Sequence, residues 1–396
     1  MSAEKAGRRA SPQFRIVHDW EAANTVDLAA LGSASLTPGS ALRAVLEPGR
    51  AHEPSDLPPP ERIGGLVRPA WHPERGRGEV SVVRAADAWH LPRYGAVIDA
   101  HGHGFRSTLG GRVAGVPDLS RLPGVVRVDD ELRFSRPFSG GRHGPATVFT
   151  AWGGGFNYGH YLLDCLPALL AVEEAGLLAH APPIAPPLSR WRRDLLALAF
   201  PGLAVEQTRA DVLRLAEAVF ASPMDHFLHE PNLILTRLRE RLLASGPLAR
   251  EGSPRRLYVS RRTLAYPMRV LADEARLEAA LRKRGFAIMH PERMAVADQI
   301  AVFRDAEVVV GPTGAGLANA LFCRPGARIV ELQPETFTSG WVQALCTLTG
   351  AEWSGWFCPA PVAPARVSPV RRLRPGFRFV YEAPVSDLLD WLDARL

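Results

Sequence analysis

The sequence predicts an α/β protein of two domains with a cleft between them. Three observations carry that prediction. The chain has 396 residues, more than one ordinary core accommodates, and roughly 100 to 200 residues per domain favours two. From Arg255 onward, short apolar runs alternate with segments of helical period, the pattern of a parallel sheet covered by helices on both faces. One strand of that series runs into a glycine-rich turn at Gly311, the carboxyl-end position where open α/β sheets hold their ligands.

Taken in order, residues 1–60 are rich in Ala, Pro and Ser and end in Pro58, Pro59 and Pro60, which predicts a loosely held start. Residues 61–250 form the expected N-terminal domain. Short apolar runs at Ala96–Ile98 and at 146–149, set between Gly and Pro, read as strands joined by turns. A Leu- and Ala-rich helix is expected over 162–178, kinked or begun afresh at Pro167, with a loop at 182–187. The expected second domain, 251–375, contains strand RRLYVS, a helix over 270–284 closed by Gly285, strand FAIMH, a helix over 296–304, strand AEVVVG, a short helix over 317–322 and strand ARIVEL. Residues 376–396 should form a tail helix with Ser386 as N-cap and Leu388, Leu389, Trp391 and Leu392 as its apolar face, packed back across the domain junction. No repeat of fixed period occurs.

Composition narrows the function classes. Hydrophobic residues make up 46% and charged residues 22%, ordinary for a globular chain, and the net charge is +6. Almost all the cations are Arg, whose planar fork suits phosphate. That balance fits an anionic substrate; nucleic acid rests on charge alone and is not expected as a partner. The opening MSAEKAGRRASPQFR is polar and no apolar run reaches the roughly 18 residues of a membrane span. A cytoplasmic protein is expected, with peripheral association at the inner face of the membrane left open. Cys165, Cys323, Cys346 and Cys358 form no CxxC pair, so buried reduced thiols are expected and no metal site.

Two segments carry chemistry. In GPTGAGLANALF, the turn from Gly311 through Thr313, Gly314, Ala315, Gly316, Leu317 and Asn319 directs backbone N–H groups and a helix N-terminus outward, a ready phosphate or pyrophosphate site. Arg261, at the end of YVSRR, lies on the same rim, and Glu331, at the end of the next strand, is placed to accept from a ribose. The same glycines also serve a tight strand-to-helix turn, and Arg262 reads as a solvated charge. GPTGAG departs from the dinucleotide fingerprint, which disfavours a nicotinamide dehydrogenase; no cofactor is expected.

In GGGFNYGHYLLDCLPAL, Asn157, His160 and Asp164 are spaced three and four apart and share one helical face behind a glycine stretch. A carboxylate beside an imidazole acts as a general base or holds the base in its tautomer. The alternative is a cluster that caps the helix, with Asn157 at its start and Asp164 paired to an Arg.

At NYGHYLLDCLP, YVSRR, Arg269 with Asp273 and Glu274, GFAIMHPERMAVADQIAVFRDAEVVVG and GAGLANALFCRPGARIVELQP, the chain resembles glycosyltransferase family 61 over roughly half its length. The resemblance implies the GT-B arrangement of two facing Rossmann-like domains, an acceptor side in the first and a donor side in the second. It implies inversion at the anomeric carbon and no required metal. Many relatives have His where this chain has Thr313. The expectation is therefore transfer of a sugar from a nucleoside diphosphate sugar, a UDP-sugar first, to a hydroxyl of a glycan or lipid-linked glycan in surface or capsular polysaccharide synthesis. Asp164 is the first choice of base and His160 its close rival, with Asn157 on the acceptor side. Arg261, Thr313 to Leu317, Asn319 and Glu331 are expected on the donor. A nucleotide-sugar epimerase and a non-catalytic glycan-binding or assembly protein are the alternatives.

Overall fold

The computed structural model describes residues 80–98, 140–150, 155–222, 233–246, 252–264, 269–334, 340–358 and 379–395, with short pieces at 13–16, 25–27, 42–46, 103–105, 108, 125–128 and 131–134. The rest of the expected loose segment 1–60, and Gly153 and Gly154 of the glycine stretch, lie outside the described residues. The protein is α/β, and it divides into two compact units, the first running to Leu228 and the second from His229 onward apart from residues 50–77.

The first unit is built on a mixed sheet. Val80–Leu91 pairs antiparallel with Val212–Ser222, which runs parallel to Gly140–Val148, followed by Pro183–Ala185 and Glu206–Gln207. The loop expected at 182–187 thus contains a strand: Pro183 and Ile184 pair with Thr147 and Val148, and a proline is accommodated at a strand's first residue. Against this sheet packs the helix Leu166–Glu174, whose first seven residues are all buried. A helix apolar all round belongs inside a core.

The expected helix over 162–178 starts earlier and ends sooner. Asn157 caps it, Tyr158–His160 forms its first turn, and Tyr161–Cys165 is π-helical, with the Leu166 N–H donating to the Tyr161 carbonyl five residues back. Pro167 explains the restart. It has no N–H for the Leu163 carbonyl, and its ring crowds that oxygen, so a wider turn just before it relieves the clash.

The second unit contains a five-stranded, wholly parallel sheet in the order Ala287–Met289, Arg256–Val259, Val308–Pro312, Arg328–Pro334, Glu352–Cys358. Helices Glu274–Arg282, Val296–Asp305 and Trp341–Thr349 alternate with its strands. The helix expected over 270–284 begins only at Glu274. Arg269–Leu271 is a strand paired with Phe379–Tyr381, and the left-handed Asp273 separates the two elements. The tail helix is Val385–Asp393, with Pro384 rather than Ser386 at its N-cap; Ser386 sits in the first turn, bonded to Asp387. Its Leu388, Leu389 and Leu392 join the core of this unit beside Tyr258, Val308, Val330 and Trp356. The helix Leu233–Ser245, expected with the first domain, also groups here, with Arg239 donating to the Leu321 and Cys323 carbonyls. Among the described residues no helix is long and apolar enough to cross a membrane.

Candidate functional site

In the first unit, Asn157, His160 and Asp164 meet at the π-helical turn. The Asn157 side chain accepts from the His160 backbone N–H at 3.3 Å, which caps the helix. The His160 Nδ1 lies 2.7 Å from Asp164 Oδ2. An ionised carboxylate only accepts, so the Nδ1 proton is donated to Asp164 and the lone pair of neutral imidazole sits on Nε2. The Asp164 side chain is 0% exposed and that of His160 is 22% exposed, so of the pair only the imidazole reaches solvent. Asp164 is thus paired with His160. Trp191 braces the turn from outside, edge-on to the Tyr161 ring at 5.5 Å and tilted against Tyr158 at 5.7 Å. A π turn aims side chains off the regular helical spacing and often marks a functional site.

In the second unit, the strand Val308–Pro312 leads through Thr313 and Gly314 into the 3₁₀ helix Ala315–Phe322. The Leu317 N–H is used within that helix, donating to the Gly314 carbonyl. Ala315 and Gly316 precede it in the first turn, where backbone N–H groups have no intrahelical partner. Arg261 crosses the turn: its Nη1 donates to the Thr313 carbonyl at 3.1 Å, and a Cβ built on Gly314 would overlap that nitrogen. Gly314 is therefore glycine to admit the guanidinium. Gly311 and Gly316 have a different reason. A Cβ on either would meet Val259, at 3.0 Å from its Cβ and 2.9 Å from its Cγ1 respectively, so both let the helix sit close on the neighbouring strand.

The remaining donor-side residues lie deeper. Leu317 and Thr313 are buried, and Asn319 Nδ2 donates to Gln299 Oε1 at 2.9 Å and to the Gly316 carbonyl at 3.2 Å, pinning the 3₁₀ helix to the helix Val296–Asp305. Glu331, expected at the strand end to accept from a ribose, is fully buried within its strand. Its Oε2 accepts from Gln333 Nε2 at 2.7 Å and Trp353 Nε1 at 3.0 Å. Burial pushes its carboxyl up to about 7, against the Thr313, Gln333 and Trp353 side chains that favour the charged form. Arg262, read as a solvated charge, is instead half-exposed and held at 3.1 Å by Glu278, whose carboxylate is buried. Sequence reasoning missed Val259 and Gln299 as the partners of the glycines and of Asn319. Gly311 and Gly316, five apart on either side of the turn, were the one available signal for Val259. Among the described residues, no group of three or more His, Cys, Asp or Glu side chains is placed to hold a metal ion.

No curated protein matches the chain. Residues 158–330 match the family model Glycosyltransferase 61, a span that takes in His160 and Asp164 of the first unit and Arg261 and the turn from Thr313 to Asn319 of the second. With both constellations inside that match, residues 158–330 form a glycosyltransferase family 61 domain, which supports a glycosyltransferase.

Proposed function

We propose that the protein moves a sugar from a nucleoside diphosphate sugar, with a UDP-sugar as first candidate, to a hydroxyl of a glycan or lipid-linked glycan, inverting the anomeric carbon. The observation that carries this reading is the His160–Asp164 pair, a solvent-reaching imidazole whose tautomer is held by a buried carboxylate. In this mechanism His160 Nε2 takes the proton of the acceptor hydroxyl while its oxygen attacks the anomeric carbon and the bond to the diphosphate breaks. Asp164 orients the imidazole and stabilises the imidazolium that forms, which moves the role of base from Asp164 to His160. The charge growing on the diphosphate is met by Arg261 and by the Ala315 and Gly316 amides, with no metal step. Asn319, Leu317 and Glu331 act from beneath as supports of the turn, and Asn157 fixes the start of the acceptor-side helix.

The reading requires the two units to act on one donor and acceptor pair, as the two halves of a GT-B enzyme. Synthesis of a surface polysaccharide at the cytoplasmic face of a membrane is the setting that suits a lipid-linked acceptor. A thermal-shift screen of UDP, GDP, CDP, ADP and TDP tests the donor half, because a ligand that binds only the folded state raises its apparent stability. A rise with one diphosphate and none with its nucleoside is the expected result; no rise with any of the five would remove the donor reading.

A further inference from the structure

Arg261 is held from two sides. Its backbone N–H donates to Glu274 Oε1 at 2.7 Å, and the same oxygen accepts the Tyr258 hydroxyl at 3.1 Å. Its guanidinium, on the other side, donates to the Thr313 carbonyl and lies over Gly314. Glu274 is the first residue of its helix and is 3% exposed. It reaches Arg261 because Asp273 before it adopts the left-handed conformation, at φ 52° and ψ 26°, which Asp tolerates better than most side chains.

That arrangement is costly for packing alone. Burying a carboxyl is unfavourable unless its oxygens are hydrogen-bonded, and among the described residues Glu274 Oε2 has no hydrogen-bond partner. The Arg261 Nε is likewise buried without a partner among the described residues. Orphaned buried polar atoms on both of these linked residues mark a place where geometry is held at the expense of stability.

We infer that Glu274 is a positioning residue for the donor diphosphate, fixing the Arg261 backbone so that the guanidinium stays laid across Thr313 and Gly314. The inference rests on the donor reading above. Binding of UDP, GDP, CDP and ADP, each with its nucleoside as control, is measured by calorimetry on the full chain, and the tightest diphosphate is carried forward. Arg261→Ala should weaken that diphosphate about tenfold or more, the loss of one charge-assisted contact, and leave the nucleoside unchanged. Glu274→Ala should reproduce this selective loss. Glu274→Gln, which retains an acceptor for the Arg261 N–H, should bind within about threefold of wild type, and Glu274→Ala should add little to Arg261→Ala.

Full diphosphate affinity in folded Glu274→Ala overturns the inference, as does equal weakening of diphosphate and nucleoside, or additive losses in the double variant. If Glu274→Ala does not fold, Glu274→Asp, one methylene short of the Arg261 amide, carries the same expectation. If Arg261→Ala costs nothing, or no diphosphate binds wild type, the donor reading fails and this inference with it. A loss confined to Arg261→Ala removes the inference alone.

Discussion

His160 Nδ1 stands 2.7 Å from Asp164 Oδ2 across one π-helical turn, with the carboxylate sealed in the core and the imidazole reaching solvent. Such a pair divides the labour of a base. The buried partner sets the tautomer, and the outer one exchanges protons.

Removal of the imidazole should therefore cost most. His160→Ala is expected to lower kcat by ~10² to 10⁴ with donor affinity retained, the usual span of general-base catalysis. Asp164→Asn should fall less, because His160 remains but its orientation is no longer held, and the double variant should be about as slow as His160→Ala. Single-turnover rates decide the matter; a deeper fall for Asp164→Asn than for His160→Ala would return the role of base to Asp164.

The glycines of the turn should separate by function. Gly314→Ala displaces the Arg261 guanidinium and is expected to weaken diphosphate binding while the thermal midpoint changes little. Gly316→Val drives a side chain into Val259 and should destabilise the fold by about 1 to 3 kcal/mol, the usual cost of overpacking. Parallel urea melts and diphosphate titrations check both; a stable Gly316→Val, or a Gly314→Ala with full affinity, contradicts the assignment.

Turnover is expected to persist in excess EDTA, since Arg261 and the turn amides are given the charge that a divalent cation would otherwise carry. Loss of activity that Mn²⁺ or Mg²⁺ restores would show that the leaving diphosphate needs a metal.

Glu331 should make the protein less stable as pH rises. The carboxyl goes from an ordinary 4.5 to about 7 on folding, so between those values the folded state binds the extra proton. Stability is then highest below 4.5 and falls as pH climbs to 7, by on the order of 3 kcal/mol at about 1.4 kcal/mol per unit. Glu331→Gln, which is neutral at every pH, should gain on wild type between pH 5 and pH 8 in urea melts. A constant difference between the two proteins across that range would mean that Glu331 is charged throughout.

The regular part of the second unit was legible from the chain because parallel strands and amphipathic helices leave local periods in the sequence: RRLYVS, FAIMH, AEVVVG and ARIVEL all fall on strands of one sheet. Asn157, His160 and Asp164 were legible for the same reason, since spacings of three and four are a local property of a helix. Tertiary contacts decided the rest. Val270 carries a helical pattern yet pairs with Val380, more than a hundred residues on, because a strand partner satisfies its backbone as well as a helix would. Gly314 and Gly316 look alike in sequence, but one admits Arg261 and the other Val259, a distinction that exists only once the neighbouring strand is in place. Burial of Asp164 and Glu331 depends on what the rest of the chain lays over them. Sequence alone therefore named the residues of the turn and the helix, while their accessibility, which sets the solvent-reaching His160 apart from the buried Asp164, came from the packing.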